Sequence, residues 1–77
     1  MINLIGTVNA EYTVYAQLHF NDCTGCVAAM KVNEDGSKSY VAWNFNTYDG
    51  ELSFYWGHYS GSIEEADTEF IEKIHNR

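Results

Sequence analysis

Apolar and polar residues alternate over the first twenty residues of the chain. The even positions are apolar or small throughout: Ile2, Leu4, Gly6, Val8, Ala10, Tyr12, Val14, Ala16, Leu18 and Phe20. A period of two predicts β-strand with one face against a core. One straight strand of this length would extend about 60 Å, whereas a domain of this size has a radius of gyration of about 11 Å. We therefore expect a break between Gly6 and Ala10, with a first strand near residues 2–8 and a second near 11–20.

Turn-forming residues recur at short intervals along the middle of the chain. The segment 21–25 is polar and ends in glycine, and the pairs Asp35-Gly36 and Asp49-Gly50 tolerate the positive φ of hairpin turns. Between and after these turns the alternation returns, and it places on one face the side chains Val41, Trp43, Phe45, Leu52, Phe54 and Trp56. Strands spaced this closely predict an antiparallel meander.

The apolar period changes to that of a helix near the C-terminus. The apolar residues there recur at helical spacing: Ile63, Ala66, Phe70, Ile71 and Ile74. Ser62 followed three residues later by Glu65 is the pattern of a capping box at a helix start. We therefore predict one α+β domain over residues 1–77, an antiparallel β-meander of four to five strands with a C-terminal α-helix packed on one face.

The net charge of the chain indicates which sign of charge a partner would carry. Eleven acidic residues against four lysines and arginines give a formal net charge of −7, which opposes binding to nucleic acid through its phosphates. A basic protein partner suits this charge better. No apolar segment approaches the roughly 18 residues that span a bilayer, and the start lacks the basic region of a signal peptide. We expect a cytoplasmic protein that contacts no membrane and is a monomer or a homodimer.

The segment from His19 to Cys26 is the part of the chain that most suggests chemistry. A strand that runs into Cys23-Thr24-Gly25-Cys26 resembles the redox segment of thioredoxins and glutaredoxins, in which the second cysteine belongs to a helix. That family places a cis-proline against its cysteines, and this chain contains no proline. A zinc site is the other alternative, with His19, Cys23, Cys26 and a distant His58 as ligands. We favour two reduced cysteines, with Cys26 packed as a small apolar residue and no metal or cofactor.

Motifs for catalysis are missing from the sequence. It has no glycine-rich phosphate loop, no nucleophile elbow and no paired histidines on a helix. No pair of carboxylates has a context that would raise one pKa for acid–base work. We therefore expect a protein that is not an enzyme and has no catalytic residues.

The predicted helix concentrates the negative charge. Five of the eleven acids lie within residues 64–72, and a solvent-exposed face is the simplest explanation for them. Several tyrosines favour the alternative that this region binds a partner, because tyrosine buries a large area at interfaces while keeping a polar tip. The alternation places Tyr15, Tyr40, Tyr55 and Tyr59 opposite the main apolar face. The candidate partner-binding residues are Glu64, Glu65, Glu69, Glu72, Tyr55 and Tyr59.

The C-terminal third, from Phe54-Tyr55-Trp56-Gly57 through Ser60-Gly61-Ser62-Ile63-Glu64 to Ile74, resembles small phage-encoded anti-CRISPR inhibitors of type I-F systems. That family also has a sheet followed by a C-terminal helix, although it has a helix where this chain has Asp49-Gly50 and an alternating strand. The resemblance implies an acidic inhibitor that blocks the DNA-binding surface of a CRISPR-Cas surveillance complex in the host cell. The alternatives are an immunity protein against a nuclease toxin and the redox or zinc protein described above.

Overall fold

The protein is a five-stranded antiparallel sheet with one helix on it. The computed structural model describes residues 2–75. Its elements are β1 (Val8–Asn9), β2 (Tyr12–His19), β3 (Thr24–Val32), β4 (Lys38–Asn46), a 3₁₀ turn (Tyr48–Gly50), β5 (Ser53–Ser60) and α1 (Ile63–His75). The strands lie in the sheet in their chain order, and every neighbouring pair is antiparallel. The predicted α+β meander with a C-terminal helix is therefore confirmed.

The first strand is much shorter than residues 2–8. Gly6 has a φ of 89°, and Ala10 and Glu11 have φ of 50° and 72°, so the chain turns twice before β2. Residues 2–7 lie outside any strand, yet Leu4 is fully buried. The backbone N–H of Leu4 donates a hydrogen bond to the side-chain oxygen of Gln17 on β2. The chain breaks where expected, and as a result the first strand is only Val8–Asn9, while Gly6 and Thr7 are hydrogen-bonded to Val14 of β2 outside the strand.

One face of the sheet carries a core rich in aromatic rings. Its buried members are Leu4, Tyr12, Val14, Val27, Ala29, Val41, Trp43 and Phe45, with Phe54 packed against them. Trp43 lies at the centre, because its ring centroid is 5.9 Å from that of Tyr12, 5.1 Å from Phe54 and 6.3 Å from Tyr59. The N-terminal segment covers this face through Leu4, and the helix lies on the other face.

A bulge in β2 interrupts the long alternation of the N-terminal half. The pairing with β3 shifts between Val14 and Ala16, so that Val14 lies opposite Ala29 while Ala16 lies opposite Ala28. Even-numbered residues therefore face the aromatic core up to Val14 and the helix side from Ala16 onward. The expectation of one inward-facing series as far as Phe20 was wrong for this reason.

A second bulge lies in β5 and moves Trp56 out of the core. The pairing with β4 shifts between Ala42 and Asn44, and Trp56 has a φ of 52°. Trp56 is 75% exposed, although the alternation predicts it to face inward. A Cβ atom on Gly57 would lie 2.7 Å from Trp43 Nε1, so the bulge brings backbone rather than a side chain against the buried indole.

The helix packs on the second face, which is lined by small side chains. Ala66 is fully buried there, and α1 contacts β3, β4 and β5. Ser62 caps the helix as predicted, because its Oγ accepts a hydrogen bond from the Glu65 N–H at 3.2 Å. Ile63 and Ile71 of the predicted apolar face remain about half exposed. Within residues 2–75, no helix has both the length and the apolar character needed to cross a bilayer.

Candidate protein-binding surface

The outer strand β5 and the helix α1 together form one polar and aromatic surface. We call it the acidic–aromatic edge and define it by Tyr55, Trp56 and His58 of β5 with Glu65, Glu69 and Glu72 of α1. The strand is the last of the sheet, so its outer side has no neighbouring strand among residues 2–75. The helix follows it after two residues and packs back across it, which brings the carboxylates beside the strand.

His58 lies between two of the helix carboxylates. Its Nε2 is 3.5 Å from Glu65 Oε1 and 3.6 Å from Glu69 Oε1. Glu65 and Glu69 repel each other as like charges one helical turn apart, and the His58 ring lies within 4 Å of both. Glu65 and Glu69, two of the acids expected on a solvent-exposed helix face, are therefore turned toward β5.

Trp56 and Tyr55 form an aromatic pair at the bulge. Their ring centroids are 4.9 Å apart with the planes 75° to each other. Lys73 holds this part of the strand, because its Nζ donates hydrogen bonds to the Trp56 carbonyl oxygen at 2.7 Å and to Asn44 Oδ1 at 2.6 Å. Burial lowers the pKa of the Lys73 ammonium, while Cys26 and Glu69 act in the opposite direction.

An open cavity of about 520 Å³ lies between the bulge and the helix. Tyr55 and Trp56 form its aromatic wall, and Glu69 and Glu72 come from the helix. Asn44 and Lys73, which are hydrogen-bonded to each other, line it too. Exposed aromatic area next to carboxylates is suited to a positively charged partner group.

Four of the six predicted binding residues belong to this edge, and two do not. Tyr55, Glu65, Glu69 and Glu72 lie together as described above. Glu64 is exposed on the helix, but it does not line the cavity and it does not pair with His58. Tyr59 lies on the aromatic-core face, with its ring 5.8 Å from that of Tyr12, because the β5 bulge reverses the alternation. The expectation that Tyr59 is opposite the main apolar face was therefore wrong.

Tyr40 and Tyr15, the other tyrosines expected opposite the main apolar face, contact other parts of the fold. Tyr40 is buried, so it does not form part of an exposed surface. Tyr15 lies at the β2 bulge beside Asp67 of the helix. Burial and the neighbouring Asp67 carboxylate raise the pKa of the Tyr15 hydroxyl. These contacts are structural, and they leave Tyr55 as the member of the set that belongs to the edge.

The two cysteines lie in different environments. Cys23 is half-buried in the turn before β3, whereas Cys26 lies within the strand and is fully buried. Both are free thiols. Burial raises the pKa of the Cys26 thiol to about 11, and Lys73 only partly offsets this. Reactive thiols have a lowered pKa, and in thioredoxins the second cysteine lies in a helix, so Cys26 lacks both features of that redox chemistry.

The histidines proposed as zinc ligands have other contacts. The Nε2 of His19 lies 2.9 Å from the carbonyl oxygen of Ile2, and the ring packs edge-on against Phe45. His58 lies beside Glu65 and Glu69 instead. Across residues 2–75, no three His, Cys, Asp or Glu side chains are grouped in a way that could hold a metal ion.

Sequence reasoning missed three residues of this surface. Alternation predicts Trp56 to be a core residue, the position of His58 at a strand end suggests a solvated side chain or a metal ligand, and Lys73 near the helix end suggests only a favourable interaction with the helix dipole. One signal was available for Trp56, because a glycine directly after it within a strand is typical of a bulge. Nothing in the local sequence indicates that Lys73 reaches across to the Trp56 carbonyl oxygen.

Comparisons of the chain with known protein families, with curated proteins and with solved structures found no match.

Proposed function

We propose that the chain is a small acidic inhibitor of the anti-CRISPR kind, encoded by a phage. In this proposal it has no enzymatic activity and acts in the cytoplasm of the host cell. It binds a basic surface with which a CRISPR-Cas complex recognises DNA, and so keeps DNA away from that surface. The acidic–aromatic edge is the part of the molecule that makes the contact.

The single observation that carries the proposal is the exposure of Trp56 beside acidic side chains. Tryptophan is among the residues that contribute most to protein interfaces, and a ring that is 75% exposed has most of its area available to a partner. Glu69 and Glu72 line the same cavity as this ring. The edge therefore combines apolar area for affinity with negative charge for steering toward a basic partner.

The net charge of −7 supports the same class of partner. Complementary charge raises the rate of association at low ionic strength, and it also suppresses binding to acidic partners. Association with a basic surface should therefore slow as salt screens the attraction, over a Debye length of about 10 Å at 0.1 M ionic strength.

The test is binding of the purified chain to a purified type I-F surveillance complex without DNA. We expect tight binding that weakens with salt and prevents later binding of target DNA. A triple variant with Glu65→Lys, Glu69→Lys and Glu72→Lys should associate at least about tenfold more slowly and lose most of the salt dependence.

The matched control changes three exposed acids away from the helix. Glu11→Lys, Glu34→Lys and Glu51→Lys alter the net charge by the same amount as the helix variant. If the edge makes the contact, the control variant retains more of the association rate than the helix variant does. Equal losses in the two variants would assign the effect to overall charge, and no binding to the complex would refute the proposal.

A further inference from the structure

The cavity at the acidic–aromatic edge has walls of a specific kind. One wall is the Tyr55–Trp56 pair, in which the rings meet at 75° and present both a face and an edge. Glu69 and Glu72 approach from the helix, and Asn44 and Lys73 line the same cavity. The volume of about 520 Å³ accommodates one long side chain of a partner.

The ammonium of Lys73 is held against the strand, where its Nζ donates to Asn44 Oδ1 at 2.6 Å and to the Trp56 carbonyl oxygen at 2.7 Å. Both acceptors are neutral, so this one positive charge faces the two carboxylates of Glu69 and Glu72 in the cavity lining. Glu69 has His58 as a neighbour at 3.6 Å. Glu72 is exposed and has no ion pair with any residue in 2–75. Its carboxylate is therefore the better placed of the two to pair with a ligand.

An aromatic wall beside an available carboxylate selects the chemistry of that ligand. A cation over the face of a tryptophan is attracted by the ring quadrupole, and tryptophan is the best aromatic residue for this contact. A guanidinium group is planar, stacks on aromatic rings and pairs with a carboxylate through two parallel hydrogen bonds. The ammonium of lysine is more strongly hydrated and has no planar face to stack.

We propose that this cavity binds an arginine side chain of the partner, with its guanidinium stacked on Trp56 and paired with Glu72. This inference rests on the proposed function, since it names the chemical group of the basic surface that the edge recognises. The Tyr55 ring supports the Trp56 ring from the side, and Lys73 fixes the backbone that presents it.

The protein contains two tryptophans, which makes a direct test possible. Trp56 lines the cavity, whereas Trp43 is buried in the aromatic core at 4% exposure and serves as an internal control. The probe is N-acetyl-arginine amide, added to ¹⁵N-labelled protein while both indole N–H signals are followed by NMR. We expect the Trp56 indole signal to move and saturate in the millimolar range and the Trp43 signal to stay in place.

Two control ligands and four variants give the test its specificity. N-acetyl-citrulline amide has a planar group of the same shape but no charge, and N-acetyl-lysine amide has the charge but no planar group. Both should therefore bind at least about fivefold more weakly than N-acetyl-arginine amide. Glu72→Gln should weaken arginine binding by a similar factor, and Trp56→Ala should abolish it, read from the backbone amides around the cavity. Glu64→Gln and Tyr48→Ala change exposed residues away from the cavity and should leave binding unchanged.

The outcomes separate this inference from the proposed function. A Trp56 signal that does not move, or that moves equally with the citrulline compound, overturns the arginine site whatever the surveillance complex does. If Trp56→Ala binds the surveillance complex as tightly as the unchanged protein, the arginine site is overturned and Trp56 is removed from the contact, while binding to the complex itself still supports an inhibitor. Arginine binding at Trp56 without affinity for the complex supports the site and refutes the anti-CRISPR target.

Discussion

Lys73 on the helix donates a hydrogen bond of 2.7 Å to the backbone carbonyl oxygen of Trp56. Trp56 is the residue of β5 at which φ is positive, so the lysine holds the strand at its bulge. The same ammonium group donates to Asn44 Oδ1, and Asn44 is a buried polar residue of β4. One side chain therefore links the helix, a central strand and the exposed tryptophan of the edge strand.

Replacing Lys73 should destabilise the fold and release the bulge. Lys73→Met keeps the aliphatic stem but removes the donor, so the Asn44 side chain loses its partner in the protein interior. We expect the free energy of unfolding to fall by about 1–3 kcal/mol in urea titrations. The matched change Lys38→Met lies at an exposed position at the start of β4 and should cost less than about 0.5 kcal/mol. Equal effects of the two variants would contradict the role given to Lys73.

Gly25 should not accept a side chain. It lies in β3 opposite Phe45, and a Cβ atom there would collide with the Leu18 carbonyl oxygen and approach Phe45 Cε1 to 2.7 Å. Backbone and a buried ring cannot both move aside, so Gly25→Ala should lower the free energy of unfolding by more than about 2 kcal/mol. Gly61→Ala is the control, because no heavy atom lies within 4 Å of a Cβ atom at that position. Chemical denaturation of both variants measures the difference, and a stable Gly25→Ala protein would contradict the close packing of β3 against Phe45.

Stability should fall at alkaline pH because Cys26 is buried. Burial raises the pKa of its thiol from the ordinary value of 9.0 to about 11 in the folded protein, so the unfolded chain loses this proton first. The contribution is complete below pH 9.0 and is lost as pH rises toward 11, and its size is on the order of 1–3 kcal/mol. Urea titrations from pH 8 to pH 11 measure the decline.

Variants at the two cysteines isolate this effect. The stability of Cys26→Ala should decline less steeply with pH than that of the unchanged protein. Cys23→Ala removes the other thiol, which lies outside the strand, and is the comparison variant. Tyr15 and Lys73 also have shifted pKa values, but both are present in all three proteins. Three parallel curves would show that the Cys26 thiol does not govern the alkaline loss of stability.

Most elements of the fold could be predicted from sequence because they have a local cause. Alternation indicates β2, β4 and β5, the Asp35-Gly36 and Asp49-Gly50 pairs indicate turns, and Ser62 indicates the helix start. The central strand β3 is buried on both faces and its sequence does not alternate. The structure has positive φ at Gly36, Asp49 and Gly50, and the Ser62 cap is formed. These signals depend on the conformation of a few neighbouring residues, so they need no knowledge of the tertiary structure.

The faces of the sheet could not be predicted in the same way. A bulge adds one residue to a strand and moves every later side chain of that strand to the opposite face. A single bulge that is not foreseen therefore assigns all the following residues to the wrong face. The bulge in β2 redirects Ala16 and Leu18, and the bulge in β5 exposes Trp56 and turns Tyr59 to the aromatic core. Whether a bulge forms depends on partner strands, here on how Gly57 meets the Trp43 indole.

The candidate surface was predictable in its charge and in one aromatic residue, Tyr55. The acids of the helix are evident in the sequence, and three of them, Glu65, Glu69 and Glu72, lie at the edge. Trp56 and His58 join them because the helix packs back across β5, which is a tertiary relationship between segments separated by a turn. The exposure of Trp56 follows from the bulge and could not be derived from periodicity.

The order of the strands also has a consequence for how the chain folds during synthesis. Because every strand pairs with the one made just before it, each hairpin closes only a short loop, and local pairing of this kind favours fast folding. A chain emerging from the ribosome can therefore extend its sheet one strand at a time. The helix is made after all the strands that it covers, so docking of the helix is the step that completes the acidic–aromatic edge. Under the proposed function, the partner-binding surface would then form only once the helix has been synthesised.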